Sequence, residues 1–189
     1  MSGHLDRRVV AAAVVAGADG LLVVSGLGAP TWDIAAAGDR DLTFPLWGAM
    51  GGAVMIGLGL ALARPDRRVL VVTGDGELLM GLGSLSTVGS VAPPNLGVLV
   101  LDNERYGETG MQATHTGGST DLAAVAAACG FGAVMSVDAE SDLDAAIDLV
   151  RHQAGPTLAV VKVDTDTPPQ VVPPRDGVHL VERFRAALG

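Results

Sequence analysis

Six short runs of β-branched and aliphatic residues recur along the chain, "GLLVVSG", "LTF", "RVLVVTG", "NLGVLVLDN", "AVMSV" and "TLAVVKV", and Ala-, Leu- and Asp-containing stretches of helical length lie between them. No other feature restricts the fold as strongly. Strands that alternate with helices pair in parallel, and the right-handed crossovers joining them lay helices on both faces of one sheet. The expected fold class is α/β, a three-layer α/β/α domain with a mainly parallel central sheet. In such a fold the loops leaving the carboxyl ends of the strands gather along one edge, where ligands bind.

The 189 residues fit a single domain, which at this size buries roughly 70 % of its unfolded surface. Hydrophobic residues make up 49 % of the chain and aromatic ones 3 %, so the core must be Ala, Val, Leu and Gly in close backbone approach. The net charge is −9 and no stretch gathers several Lys or Arg, which removes the electrostatic footprint of a nucleic-acid partner. Cys129, the lone cysteine, reads as a small core residue.

Arg7 and Arg8 precede a short apolar run, Val9 to Ala18, in a faint echo of a signal peptide; the run reads as a first amphipathic helix. The stretch from Leu46 to Ala63 carries no charge and is long enough to span a membrane. Glycines at 48, 51, 52, 57 and 59 suit instead a helix from Gly48, buried or at a subunit interface, with its start open to a ligand. No membrane partner and a cytoplasmic location are expected. Prolines 168, 169, 173 and 174 predict an extended arm before a last short helix, which divides the chain into a domain of 1–165 and an arm and helix of 166–189, packed on the domain or on a partner.

Three predicted strands end in loops of chemical interest: "SGLGAP", "GDGE" and "DNERYG". In "VVTGDGELLM" a buried strand ends on one carboxylate, Asp75, between Gly74 and Gly76, just before a helical pattern, "ELLMGLGSLSTVG". A carboxylate so placed can ligate a hard cation, and the free N–H groups of Gly76 and Glu77 at a helix start can hold a phosphate. Asn103 follows at the end of the neighbouring predicted strand. Magnesium favours one or two protein side chains together with phosphate oxygens and water, a shell that Asp75, Asn103, a nearby carbonyl and a diphosphate nearly fill. Taken singly, "GDG" and "DN" are ordinary turn formers; at this spacing, each on a strand end, they point to a metal.

From about Phe44 to Phe131 the chain resembles the thiamine-diphosphate-dependent decarboxylases. It is similar to the β subunit of sulfopyruvate decarboxylase and to the C-terminal, diphosphate-binding half of phosphonopyruvate decarboxylase, in "GDG" with its following Asn and in "GAMGGA". The resemblance implies thiamine diphosphate and Mg2+ as cofactors. Asp75, Asn103 and the carbonyl of Arg105 would hold the metal, while Gly74, Gly76 and Glu77 would lie against the diphosphate. Met50, preceded by Gly48, would wedge the cofactor into its V shape. Ser25 and Gly26 would add diphosphate contacts, and His115 is a candidate proton relay. Asp102 stands where the family often has Asn, Ala49 where these decarboxylases often have Ser, and Glu104-Arg105 where a Gly-containing turn is common.

Thiamine catalysis also needs a glutamate against the pyrimidine ring, which in this superfamily comes from a separate pyrimidine-binding domain, itself of ordinary domain size at about 150 residues or more. The 189 residues cannot hold both. The resemblance therefore implies one subunit of a hetero-oligomer, α2β2 or larger, that decarboxylates a small 2-oxo acid to an aldehyde with a pyrimidine-domain partner. A carboligase of the acetolactate-synthase kind remains an alternative, as does a cofactor- or nucleotide-binding module without catalysis. A 2-oxoacid:ferredoxin oxidoreductase would ordinarily need cysteine-held clusters that one cysteine cannot supply.

Overall fold

A computed structural model describes residues 4–189. Six strands form one sheet: β1 (Leu22–Ser25), β2 (Thr43–Pro45), β3 (Val69–Gly74), β4 (Leu96–Asp102), β7 (Ala133–Val137) and β8 (Thr157–Lys162), in the order β2-β1-β3-β4-β8-β7 and parallel throughout. A small antiparallel ribbon, β5 (Arg105–Tyr106) and β6 (Gln112–Ala113), follows β4. The central strands read as unbroken apolar runs because both faces are covered. Along β3, Val69 and Val71 enter one core while Leu70 and Val72 enter the other.

Helices α1 (Arg7–Val15), α2 (Ala29–Ala36) and α7 (Leu143–His152) cover one face of the sheet. On the other lie α3 (Ala53–Ala63), α5 (Ser84–Val91), α6 (Leu122–Ala128) and α8 (Gly177–Leu188). Aspartates start three of them: Asp6 accepts from the N–H of Arg8 and Val9, Asp121 from Ala124, and Asp176 from Val178 and His179. Each such cap contributes about 1 kcal/mol. Among the described residues no helix is long and apolar enough to cross a membrane. Cys129 is partly buried against the core at the end of α6.

Two helix boundaries differ from expectation. The helix expected from Gly48 begins only at Ala53, and "ELLMGLGSLSTVG" divides into α4 (Asp75–Met80) and α5. One contact accounts for both. Gly51 has φ 80, which interrupts a helix, and its backbone lies against the turn after α4; a Cβ on Gly81 would stand 2.1 Å from the Gly51 carbonyl oxygen. Only two glycines allow this approach, and it fastens the turn carrying Met50 to the one following Met80.

Residues 164–176 run without helix or strand to α8, whose Leu180 and Phe184 are buried, with Phe184 edge-on to Phe44 at 5.6 Å. The arm is pinned along its length. Arg8 donates to the carbonyl of Pro169, Trp47 Nε1 donates to that of Pro174 at 3.1 Å, and the Arg175 guanidinium lies 4.9 Å above the Trp47 ring.

Candidate metal and cofactor site

The carboxyl ends of β1, β3 and β4 open into a cleft of about 360 Å³. Gly74 is paired in register with Leu101, so Asp75 and Asn103 leave adjacent strands just beyond a matched position. Gly74, Asp75, Gly76, Glu77, Asn103, Arg105 and Met50 all line the cleft. Trp32, Met80, Tyr106 and residues 165–168 of the arm complete much of its wall, and Arg7 lines it as well. Arg7 Nε stands 3.3 Å from Asp33 Oδ2 without closing a well-formed hydrogen bond.

Asp75 is 2 % exposed. Burial raises its pKa from 3.8 to about 6, helped by the charge of Asp102 and opposed by bonds from Thr114 and Thr116. None of the groups acting on this carboxylate is cationic, so a cation in the cleft could find in it an uncompensated partner. Asn103 Oδ1 accepts from the N–H of Arg105 at 3.0 Å, and an amide oxygen has a second lone pair to offer. Among the described residues no group of three or more His, Cys, Asp or Glu side chains is placed to hold a metal. A cation here must draw most of its shell from carbonyl, ligand and water oxygens, which suits magnesium on a diphosphate.

Glu104, between Asn103 and Arg105, has φ 60, a conformation that ordinarily favours glycine. Two partners hold it there. Its N–H donates to Asp102 Oδ1 at 3.1 Å, and its carboxylate pairs with Lys162 Nζ at 2.7 Å, which holds its pKa below the usual range. Lys162 also lies 2.8 Å from Asp102 Oδ2, its register partner across β4 and β8.

Glu77 has a role in its side chain that its backbone position concealed. It is buried, and its Oε2 accepts from the N–H of Leu27 at 3.0 Å and from Thr73 Oγ1 at 2.8 Å. The backbone N–H groups of Ala53 and Gly51 also act on the carboxylate and lower its pKa, while Oε1 closes no well-formed hydrogen bond. Burial outweighs these bonds and raises the pKa. The carboxylate thus braces the loop after β1 and the start of α3 against α4. A Cβ on Gly26 would lie 1.8 Å from Glu77 Oε2, so only glycine admits the brace.

Four expected site residues do not reach the cleft. Ser25 is fully buried and its hydroxyl bonds Thr31 Oγ1 at 2.8 Å, because the last side chain of β1 turns into the protein. The N–H of Gly26 is taken by the Val72 carbonyl at 2.7 Å. Gly48 is exposed in the turn before α3, and His115 is exposed on the strap that follows β6. On either side of His115, Thr114 and Thr116 point inward instead, a pair absent from the expected site. Alternation along "ATHT" was the available signal.

Comparison with known proteins finds relatives for most of this chain. A phosphonopyruvate decarboxylase of Streptomyces viridochromogenes is 44 % identical over 169 residues, 87 % of this chain and 41 % of that protein. A sulfopyruvate decarboxylase subunit beta of Methanothermobacter thermautotrophicus is 37 % identical over 163 residues, 86 % of this chain and 84 % of that one. The chain therefore spans less than half of the first relative and most of the second. An X-ray structure of a candidate thiamin diphosphate-dependent enzyme from Mycobacterium smegmatis shares the fold, with a TM-score of 0.71 and 21 % identity over 86 % of this chain and 32 % of that one. Residues 31–161 match the thiamine pyrophosphate enzyme C-terminal TPP binding domain, from within α2 through most of β8, and the chain belongs to that family.

Proposed function

We propose that this chain is the diphosphate- and magnesium-binding subunit of a split thiamine-diphosphate-dependent 2-oxo acid decarboxylase of the sulfopyruvate or phosphonopyruvate kind. The observation that carries the proposal is the convergence of Asp75 and Asn103, from adjacent parallel strands, on one cleft. Asp75, Asn103 and the Arg105 carbonyl would hold Mg2+, and the N–H groups of Gly76 and Glu77 would face the diphosphate. Residues 1–165 form the binding domain, and 166–189 form an arm and helix that wall the cleft and brace the domain. Thiamine diphosphate held there would supply a nucleophilic carbon and a sink for the electron pair freed on decarboxylation. Met50, 59 % exposed at the mouth of the cleft, would support the rings of the cofactor.

The glutamate that polarises the pyrimidine is assigned to a partner subunit, in an assembly of α2β2 or larger. The near-full-length match to a relative named as a subunit beta supports this division. The outward side chains of α3, Met55, Ile56 and Leu62, are exposed and apolar and suit an interface.

Calorimetric titration of thiamine diphosphate with Mg2+ tests the site. Asp75→Ala and Asn103→Ala each weaken binding at least tenfold, about 1.4 kcal/mol; unchanged affinity in both variants overturns the assignment. Co-purification of a pyrimidine-domain chain, followed by assay of 2-oxo acids for carbon dioxide release, tests the activity.

A further inference from the structure

The two threonines beside His115 bear on how Asp75 can meet a cation. Thr114 Oγ1 donates to Asp75 Oδ2 at 2.6 Å, and Thr116 Oγ1 lies 3.1 Å from the same oxygen. Neither hydroxyl reaches Oδ1. Thr116 Oγ1 is nearer still to Asp102 Oδ1, at 2.7 Å, and lies 2.8 Å from Thr114 Oγ1, so three acceptors surround its single proton, while the bond from Thr114 to Asp75 is the shortest of the set. Both threonines are buried, at 4 % and 8 % exposure.

The strap that carries them is fixed independently of any ligand. Its β6 strand pairs with β5, and the Thr114 N–H donates to the Glu104 carbonyl at 3.0 Å. Asp102, which shares the Thr116 proton, is itself held by Lys162 from β8. The orientation of the Asp75 carboxylate therefore follows from a chain of contacts running from β8 through β4 and the strap to the end of β3.

We propose that Thr114 and Thr116 determine the metal preference of the site by occupying Asp75 Oδ2, so that the carboxylate offers a cation Oδ1 alone. This rests on the metal-site reading above. A carboxylate restricted to one oxygen suits Mg2+, which demands six ligands at about 2.0–2.1 Å. It handicaps Ca2+, which takes six to eight ligands and gains from a carboxylate that binds through both oxygens. The threonines thus discriminate between two cations that the same donor set would otherwise accept.

The test measures Mg2+ and Ca2+ affinities by calorimetry in the presence of saturating thiamine diphosphate, with the full chain. The quantity that matters is the ratio of the two dissociation constants, which general loosening of the fold does not shift. In the Thr114→Val/Thr116→Val variant, isosteric but without hydroxyls, the preference for Mg2+ over Ca2+ falls at least tenfold. The Thr114→Ser/Thr116→Ser variant keeps the hydroxyls and stays within threefold of the unaltered chain. A valine variant that binds both ions with the original ratio, or loses both equally, overturns the proposal. Should the double valine variant fail to fold by circular dichroism, Thr114→Val alone removes the shorter bond and must move the ratio in the same direction, and an unmoved ratio overturns the proposal. If the unaltered chain binds neither cation with thiamine diphosphate, the metal-site reading itself is wrong, an outcome distinct from an unmoved ratio.

Discussion

Replacing Glu77 tests whether the cleft is held together by a buried carboxylate. Glu77→Ala leaves the Leu27 N–H and the Thr73 hydroxyl without the acceptor they now share. Hydrogen bonds to a charged group are worth about 1.5–3 kcal/mol each, so the gross loss is about 3–6 kcal/mol. Part of it is offset, since burial raises the pKa of Glu77 and removal of the side chain relieves that cost. The net expectation is about 2–4 kcal/mol. Glu77→Gln should cost less, because its carbonyl oxygen can still accept from Leu27 and Thr73. Its amide would face the N–H groups of Gly51 and Ala53, donor against donor, which leaves a penalty of about 1 kcal/mol or somewhat more. Urea unfolding of the full chain at pH 7, followed by circular dichroism, measures both variants. An alanine variant within about 0.5 kcal/mol of the unaltered chain, the range of an ordinary surface substitution, would refute the brace. So would a glutamine variant less stable than the alanine one.

Asp75 makes the stability of the metal-free chain depend on pH. Its folded pKa of about 6 lies above the ordinary 3.8, so the folded chain holds this proton more tightly than the unfolded one. The contribution favours folding below about pH 4 and declines as the pH rises toward 6, by about 3 kcal/mol in all. Asp75→Asn should abolish that slope, and parallel stability profiles for the two proteins would contradict it. Met50→Ala should leave stability within about 0.5 kcal/mol, as for an exposed residue. It should hold thiamine diphosphate within severalfold yet slow turnover in the complex with a partner, and full turnover would make Met50 mere surface. Phe184→Ala should cost about 3 kcal/mol, since the ring is buried against Phe44; a cost near zero in urea would mean that α8 is not integral to the domain.

The sheet was legible because parallel strands covered on both faces appear as continuous apolar runs, β3 and β4 above all. Asp75 and Asn103 were legible for the same reason: a polar residue that closes such a run must sit at the sheet edge. The true start of α3 was not, because it depends on a tertiary contact between Gly51 and Gly81 that no local pattern encodes. His115 attracted attention through its chemistry, whereas the strap turns it outward and buries the hydroxyls on either side. Thr114 lies far along the chain from Asp75, and the approach is made only when the ribbon folds back over the strand ends. Lys162 left a clearer trace. It is the one cation in "TLAVVK", at the end where a buried Asp102 on the neighbouring strand needs a counter-charge.

Division of the catalytic apparatus between two chains is the claim on which the functional account depends, and the hydrogen on C2 of thiamine diphosphate reports it without knowledge of the substrate. Its exchange for deuterium, read by proton NMR after acid quench, follows the step that a pyrimidine-facing glutamate accelerates. With this chain and Mg2+ alone, exchange should stay near its rate in water. Addition of the pyrimidine-domain partner should accelerate it on the order of a hundredfold or more, within the ~10²–10⁴ of a positioned acid–base group. Rapid exchange by the isolated 189-residue chain would place the activating group within it and contradict the split-subunit account.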